Sequence, residues 1–243
     1  MGIEINRPLG VSSLNPAFAP KYRPFLGVNP HTDSFECTSI NRYTTEPLIK
    51  KMIAANPRVQ QIMREINTST LNMSEFHALL DTHTKNTVAA ISGIADNLPF
   101  ALYEKVNRQA LKDAAYLHDL GKVLIPPEVL NKPGIHDDKE AKIMHKHTEL
   151  SYELLRTTDI DSYTLDLIKN HHNYDKADIN RQILIAADKY SALIEKRVYK
   201  DAMTPKQALT IIYQDVKDGK LHPFVFRALV EHAKQKTNPV SMV

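Results

Sequence analysis

Tryptophan is absent from this 243-residue chain, cysteine occurs once, and glycine only 7 times. A lone cysteine, Cys37, cannot close an internal disulfide, which excludes a disulfide-stapled scaffold and fits a reducing compartment. Glycine is at well under half of its usual share of about 7 %, which argues against a turn-rich sandwich or barrel. Charge of one sign is also missing: 31 Lys and Arg against 28 Asp and Glu leave +3, with no basic run of five or more. Composition therefore gives no case for a DNA or RNA polymer as partner. No stretch approaches 18 apolar residues, and the opening MGIEINRPLG has no apolar signal-peptide core. The expectation is a cytoplasmic, soluble protein with no membrane association. What is present, 42 % apolar and 24 % charged residues, is enough to bury a sizeable core.

Proline is unevenly spread. Pro8, Pro16, Pro20, Pro24 and Pro30 crowd the first thirty residues, each fixing φ and turning its predecessor away from the helical region. Residues 1–45 are therefore expected to be an irregular arm, the place to look for a homodimer contact or a signalling partner. From residue 46 to 243 the pattern is helical. Two helices over 46–55 and 58–68 are divided at Asn56-Pro57. Phe76, Leu79, Leu80, His83, Thr87, Ile91, Ile94, Ala95 and Leu98 then recur at spacings of three and four, predicting one long helix capped near Ser74 and stopped before Pro99. A helix over 101–119 should end with Gly121 in the left-handed position after it. Further helices are expected over 138–156, 160–173, 180–198, 205–217 and 223–235, the Thr204-Pro205 pair marking a stop and restart. Strand signals are nearly absent, so the body is expected to be all-α, a multi-helix domain.

Eleven histidines stand in the chain, and their settings matter more than their number. His83 sits on the apolar face of the long helix, pointing into the core. His118-Asp119 closes the next helix just before a Gly-Lys turn, where an imidazole and a carboxylate can address one cation. In His145-Lys146-His147, positions i and i+2 face apart. Leu150, Leu154 and Leu155 place His147 on the buried side and leave His145 to solvent. His171-His172 ends a helix; adjacent helical residues point about 100° apart, so both can serve one cluster only near a helix end. Asp188 lies in the apolar run ILIAADKYSAL, and a carboxylate so embedded needs a cation. His136, His222 and His232 have no such setting and are expected at the surface. Together His83, His118, Asp119, His147, His171, His172 and Asp188 form a mixed imidazole–carboxylate set that suits iron or manganese, with nickel or zinc as alternatives, and disfavours calcium or magnesium. One mononuclear site rarely takes seven protein ligands, so two metals sharing a carboxylate is the natural division.

The stretches AAYLHDLGKVLIPPEVLNKPG, IMHKHTELSYELL, KNHH and ILIAADKYSALIEKRVYKDAMTPKQAL resemble the HD superfamily of metal-dependent phosphohydrolases. HDLGK, the IP and LNKPG turns and the AD-x-Y-x-A-L helix with its following R-x-Y are closest to the HD-GYP branch, the cyclic di-GMP phosphodiesterases. The resemblance covers residues 71–235 and implies the HD-domain fold. It further implies that His83, His118, Asp119 and Asp188 hold one metal, and that Asp119 bridges to a second held by His147, His171 and His172. A hydroxide between two divalent ions would attack phosphorus in line, while Lys122 contacts the phosphate. By the same analogy Arg197, Tyr199 and Lys200 would line the substrate site.

The chain departs from that branch in two places. The paired histidines run on as HHNYDKADINRQILIAAD, without the glycine and proline of the branch's signature loop and several residues shorter; only Tyr174-Asp175 remains of it. Leu79 stands four residues before His83, where members with three metals carry a glutamate. The leading expectation is a dinuclear-metal phosphodiesterase acting on a cyclic dinucleotide of the cyclic di-GMP type. The alternatives are an HD phosphohydrolase for another phosphodiester or a nucleoside phosphate, and a catalytically silent regulatory or partner-binding module.

Overall fold

In a computed structural model of the chain, residues 41–196 and 201–237 are described; most of the expected N-terminal arm, and Arg197, Tyr199 and Lys200, lie outside them. Among the described residues there are helices and turns and no strand. A 3-10 turn, Asn41–Thr44, leads into α1 (Glu46–Ala55) and α2 (Pro57–Glu65), separated at Asn56, whose side chain caps α2. Tyr43 in that turn is buried, so ordered packing begins slightly before residue 46. The order continues α3 (Met73–Leu79), a π turn (Leu80–Thr84), α4 (Lys85–Asp96), α5 (Phe100–Tyr103) and α6 (Arg108–Leu117). A 3-10 turn (Leu120–Leu124) then precedes α7 (Pro127–Leu130), α8 (Asp138–Leu155), α9 (Ser162–Lys169), α10 (Ile179–Ile194), α11 (Pro205–Lys217) and α12 (Pro223–Thr237).

The long helix expected over 74–98 forms as α3, the π turn and α4, and Asn72, not Ser74, stands at its N-cap. A π turn inserts one residue into the helical register, rotating the later turns by about 100° relative to the earlier ones. Phe76 and the His83, Thr87, Ile91, Ile94 row stay buried, while Leu79 and Leu80 come out half-exposed.

The helix expected over 101–119 is two helices. Asn107 caps α6, its side chain accepting from the Ala110 N–H, and its own N–H donates to Asn180 Oδ1 at 2.8 Å. Asn180 Nδ2 in turn donates to the Lys105 carbonyl at 3.0 Å. This break is held by a residue of α10, distant in sequence and invisible to local periodicity. Gly121 is likewise not in the left-handed region, which Gly134 and Gly219 occupy instead. Its role is closeness. A Cβ on Gly121 would lie 2.2 Å from the His147 carbonyl O and 2.7 Å from the Ser151 N, so the 3-10 turn packs directly on the backbone of α8.

Helix α10 is buried on nearly all sides, from Ile183, Leu184 and Ile185 to Ala187 and Tyr190, and packs on α4, α11 and α12. An apolar helix of this kind belongs at the centre of a domain. The interior face of α12 carries His232, which is buried and not at the surface as expected: its ring fills the space a Gly93 side chain would take. Thr204 and Gln207 form a capping box at the start of α11, the restart read from Thr204-Pro205.

Because the atoms that meet a Gly121 Cβ are backbone, they cannot swing away. Gly121→Ala should lower stability by about 1–3 kcal/mol or more, as overpacking does, read as a shift in the urea midpoint; an unchanged midpoint would contradict the contact.

Candidate metal centre

Five helices deliver one cluster. His83 comes from the π turn between α3 and α4, His118 and Asp119 from the C-terminal end of α6, and His147 from within α8. His171 lies just past the end of α9, and Asp188 comes from the middle of α10. All six are buried. His172 is beside them at the rim, its side chain 41 % exposed. Helix α9 stops at Lys169, earlier than residue 173, so His171 and His172 stand in the turn beyond it and are not forced apart by a helix. Their ring centroids are 4.1 Å apart.

Three of the rings are aimed by their own backbone. His118 Nδ1 is 2.9 Å from the Ala115 carbonyl O, His147 Nδ1 is 2.6 Å from that of Met144, and His171 Nδ1 is 2.7 Å from that of Ile168. A carbonyl only accepts, so each Nδ1 carries the hydrogen and each Nε2 is left to face the cluster. His83 differs: its Nε2 lies 2.9 Å from Asp188 Oδ1 and its Nδ1 3.2 Å from Glu195 Oε2.

Asp119 stands between two groups. Its Oδ2 is 3.4 Å from His118 Nε2 and 3.8 Å from His83 Nε2, and its Oδ1 is 3.5 Å from His147 Nε2. Asp188 Oδ1 is 3.6 Å from His118 Nε2, and its Oδ2 3.8 Å from His172 Nδ1. Three sets have ligand atoms within 4.8 Å of one another: His83 with His118 and Asp188, His147 with His171 and His172, and His118 with Asp119 and His171.

The electrostatics of the cluster are those of a cation site. Burial works against charging His118, but Asp119 and Asp188 override it and push its pKa up to about 10. Burial also opposes ionisation of the carboxylates. Asp119 is nevertheless held well below the usual range by His118 and Lys122, and Asp188 by His118 and His83. His147 and His171 go the other way: burial, unaided by a close carboxylate hydrogen bond, pushes His147 down to about 3 and His171 well below its ordinary value. Both are neutral near pH 7 with Nδ1 protonated, yet their Nε2 atoms face each other at 3.2 Å. Two lone pairs at that distance repel unless a cation lies beside them. His118 Nε2, buried and lacking a hydrogen-bond partner, points into the same space. The donor set and these two observations fit transition metals.

Lys122 reaches back so that its Nζ is 2.7 Å from Asp119 Oδ2. It also lines a cleft of about 860 Å³ that opens over the cluster between the α3–π turn, the 130–136 loop and α10. His147 and His172 lie at the cleft's inner wall, and His145, exposed as expected, at its edge. His136 lines this cleft too, with Nε2 2.9 Å from the Val129 carbonyl O, although its sequence setting suggested a plain surface residue. Leu79 adds an apolar wall. Tyr174 donates to Asp215 Oδ2 at 2.9 Å, and the same oxygen receives Lys189. Three neighbours of the cluster had no signature in the sequence. Glu195 lies seven residues after Asp188, and Asn86 donates to Glu195 Oε1 at 3.0 Å. Ser151 donates to the His118 carbonyl at 2.6 Å and accepts from the Gly121 N–H at 2.8 Å.

A family model described as the HD domain matches residues 80–193, the stretch from the π turn to α10 that contributes all seven residues. The match to the HD domain model spans 114 residues, just under half of the chain. The HD domain of the phosphodiesterase PgpH from L. monocytogenes has the same fold, with a TM-score of 0.51 and 17 % identity over 80 % of this chain and 99 % of that one. Among curated proteins, a cyclic di-GMP phosphodiesterase response regulator of Xanthomonas campestris is 28 % identical over 187 residues, 68 % of this chain and 47 % of that protein. A cyclic di-GMP phosphodiesterase of Thermotoga maritima is 29 % identical over 69 % of this chain and 49 % of its own length. A 3'3'-cGAMP-specific phosphodiesterase of Vibrio cholerae is 32 % identical over 50 % of this chain and 26 % of its length. The chain thus spans half or less of these relatives. No helix among the described residues is long and apolar enough to cross a membrane.

The His118-Asp119 corner depends on Ser151. Ser151→Ala strands the buried His118 carbonyl and Gly121 N–H, and should remove about 1–3 kcal/mol of stability, measured by urea denaturation of the metal-free protein.

Proposed function

We propose that this chain is a metal-dependent phosphodiesterase that hydrolyses a cyclic dinucleotide, with two divalent ions, iron or manganese, at the cluster. The observation that carries the reading is Asp119: a buried carboxylate whose two oxygens face different imidazole groups, beside Lys122 and His147, which line an open cleft. His83, His118 and Asp188 would complete one side and His147, His171 and His172 the other, with Asp119 shared. Paired divalent ions supply there the charge that lowers the pKa of a water and polarises a phosphoryl group.

The protein's own groups do the rest. The carbonyls of Ala115, Met144 and Ile168 aim the Nε2 atoms of three rings at the cluster before any ion arrives, so no reorientation is needed on binding, and His118 has only to give up its Nε2 proton. Lys122, on the cleft wall and next to Asp119, would contact a non-bridging phosphate oxygen and stabilise the charge that grows there. The cleft, at about 860 Å³, is in the range of sites that take ligands of drug size or more. Support for a cyclic dinucleotide comes from relatives whose names specify cyclic di-GMP and 3'3'-cGAMP. Substrate contacts from Arg197 and Tyr199, and an arm over residues 1–45 that meets a partner or a second copy, are part of the same proposal.

The test is product chromatography after incubating manganese- or iron-loaded protein with cyclic di-GMP, 3'3'-cGAMP, the linear dinucleotide and nucleoside triphosphates. Linear dinucleotide from a cyclic substrate, abolished by chelation and by Asp119→Ala, is the expected result. Turnover retained by Asp119→Ala would overturn the assignment, and cleavage of nucleoside triphosphates alone would redirect it to another phosphoester.

A second expectation comes from the charge on His118. With its pKa near 10 in the metal-free site, His118 is protonated near neutral pH, and a ligand nitrogen must be deprotonated. Metal uptake should therefore release about one proton from this residue, seen as a dependence of the calorimetric heat on buffer ionisation enthalpy, and the release should be lost in His118→Asn. Raising the pH through about 10 should remove it in the parent protein.

A further inference from the structure

We infer that Glu195 is a positioning residue for this centre, the carboxylate that fixes the ring and the tautomer of His83. The inference rests on reading the cluster as a metal site and adds a residue to its support.

His118, His147 and His171 each lean on the carbonyl three residues earlier. His83 stands in the π turn, and its Nδ1 meets a side chain instead, Glu195 Oε2 at 3.2 Å. The other oxygen of Glu195 accepts from Asn86 Nδ2 at 3.0 Å, three residues beyond His83. The carboxylate is thus tied to α4 and the π turn before it, and only 11 % of its side chain is exposed. Asp188 and Glu195 are seven residues apart, about two turns of helix, and so lie along one face of the same chain segment. They grip opposite nitrogens of one ring, Asp188 at Nε2 and Glu195 at Nδ1. Helix α10 ends where the second grip is made: Glu195 is its C-cap, with extended φ and ψ of −84° and 139°.

A carboxylate behind Nδ1–H fixes the tautomer as a carbonyl does, and in addition raises the electron density at Nε2. His83 is therefore the ring whose ligand strength depends on a side chain, and a side chain can be removed without touching any ligand.

The experiment titrates the metal-free full chain with Mn(II), followed by the free-ion paramagnetic resonance signal, and with Co(II), followed by its visible absorption. The parent, Glu195→Gln, Glu195→Ala and Asn86→Ala are compared, together with metal-free thermal midpoints. Glu195→Ala should weaken Mn(II) binding about 10- to 100-fold, the range expected when a supporting carboxylate is lost. Glu195→Gln, which keeps an acceptor but not the charge, should fall between it and the parent. The Co(II) band should shift in both; the metal-free midpoint should fall in Glu195→Ala, which strands the buried His83 Nδ1–H and the Asn86 amide, and stay close to the parent's in Glu195→Gln. Parent-like affinity and Co(II) spectra in both Glu195 variants overturn the inference while leaving the metal reading standing. A lowered metal-free midpoint with unchanged affinity overturns it as well, since that is a purely structural role. A parent that binds neither ion defeats the metal reading itself. If Glu195→Ala does not fold, the near-isosteric Gln variant decides the same comparison.

Discussion

The constraint on which this molecule turns is charge balance in a dry interior. Asp119 and Asp188 are buried in a helical core with four equally buried imidazoles, and the close permanent cation is Lys122. A buried carboxylate is tolerated only when paired and hydrogen-bonded. The cluster answers part of that demand by drawing a proton onto His118, and leaves two neutral rings, His147 and His171, with their ring nitrogens opposed. Such an arrangement is electrostatically incomplete by itself. Cationic charge would complete it, which is the physical reason for reading the cluster as a candidate metal centre.

The surrounding fold can be understood as the means of bringing these groups together at backbone precision. Gly121 lets the turn after Asp119 lie directly on α8, and Ser151 fastens that turn with two hydrogen bonds. The π turn sets His83 beside α10 without disturbing the buried row of α4, and α10, apolar on nearly every side, carries Asp188 into the centre. Three of the rings are held by carbonyls of their own segments, so the aim of these ligands comes from helix geometry more than from long side-chain networks. Where helix geometry offered no carbonyl, at His83, the structure uses Glu195.

The cleft shows a similar economy. Lys122, His147 and His172 bring the cluster to its wall, and the rest of the lining mixes apolar groups such as Leu79, Leu130 and Ile135 with the charged Glu75, Lys189, Glu195 and Lys196. A large ligand in this space would meet Lys122 beside the cluster, and both apolar and charged groups beyond it. The shortened loop after His172 does not close over this space: Tyr174 is turned to Asp215, where it shares an oxygen with Lys189.

Local spacing was enough to reveal the all-α class and most helix positions from 138 onward, and it singled out His83, His118, Asp119, His147, His171, His172 and Asp188 as a candidate set. Each stands at an inward or helix-terminal position in a strongly periodic pattern, and periodicity is a property of the chain alone. The structure places those seven near one another, His83, His147 and Asp188 from inward helix faces and His118, Asp119, His171 and His172 from helix ends and the turns after them. What the chain alone could not reveal was decided by partners far away in sequence. Asn180 breaks the helix expected over 101–119, Gly93 makes room for a buried His232, and Gly121 serves close approach and not a left-handed turn. Glu195 belongs to the same class, because a carboxylate two turns past Asp188 looks like a solvated helix end until α4 is placed beside it. Residue type and period point to most of the groups that are buried; the packing of one helix against another decides the exceptions, such as His232 and Leu79, and which atoms the buried groups meet.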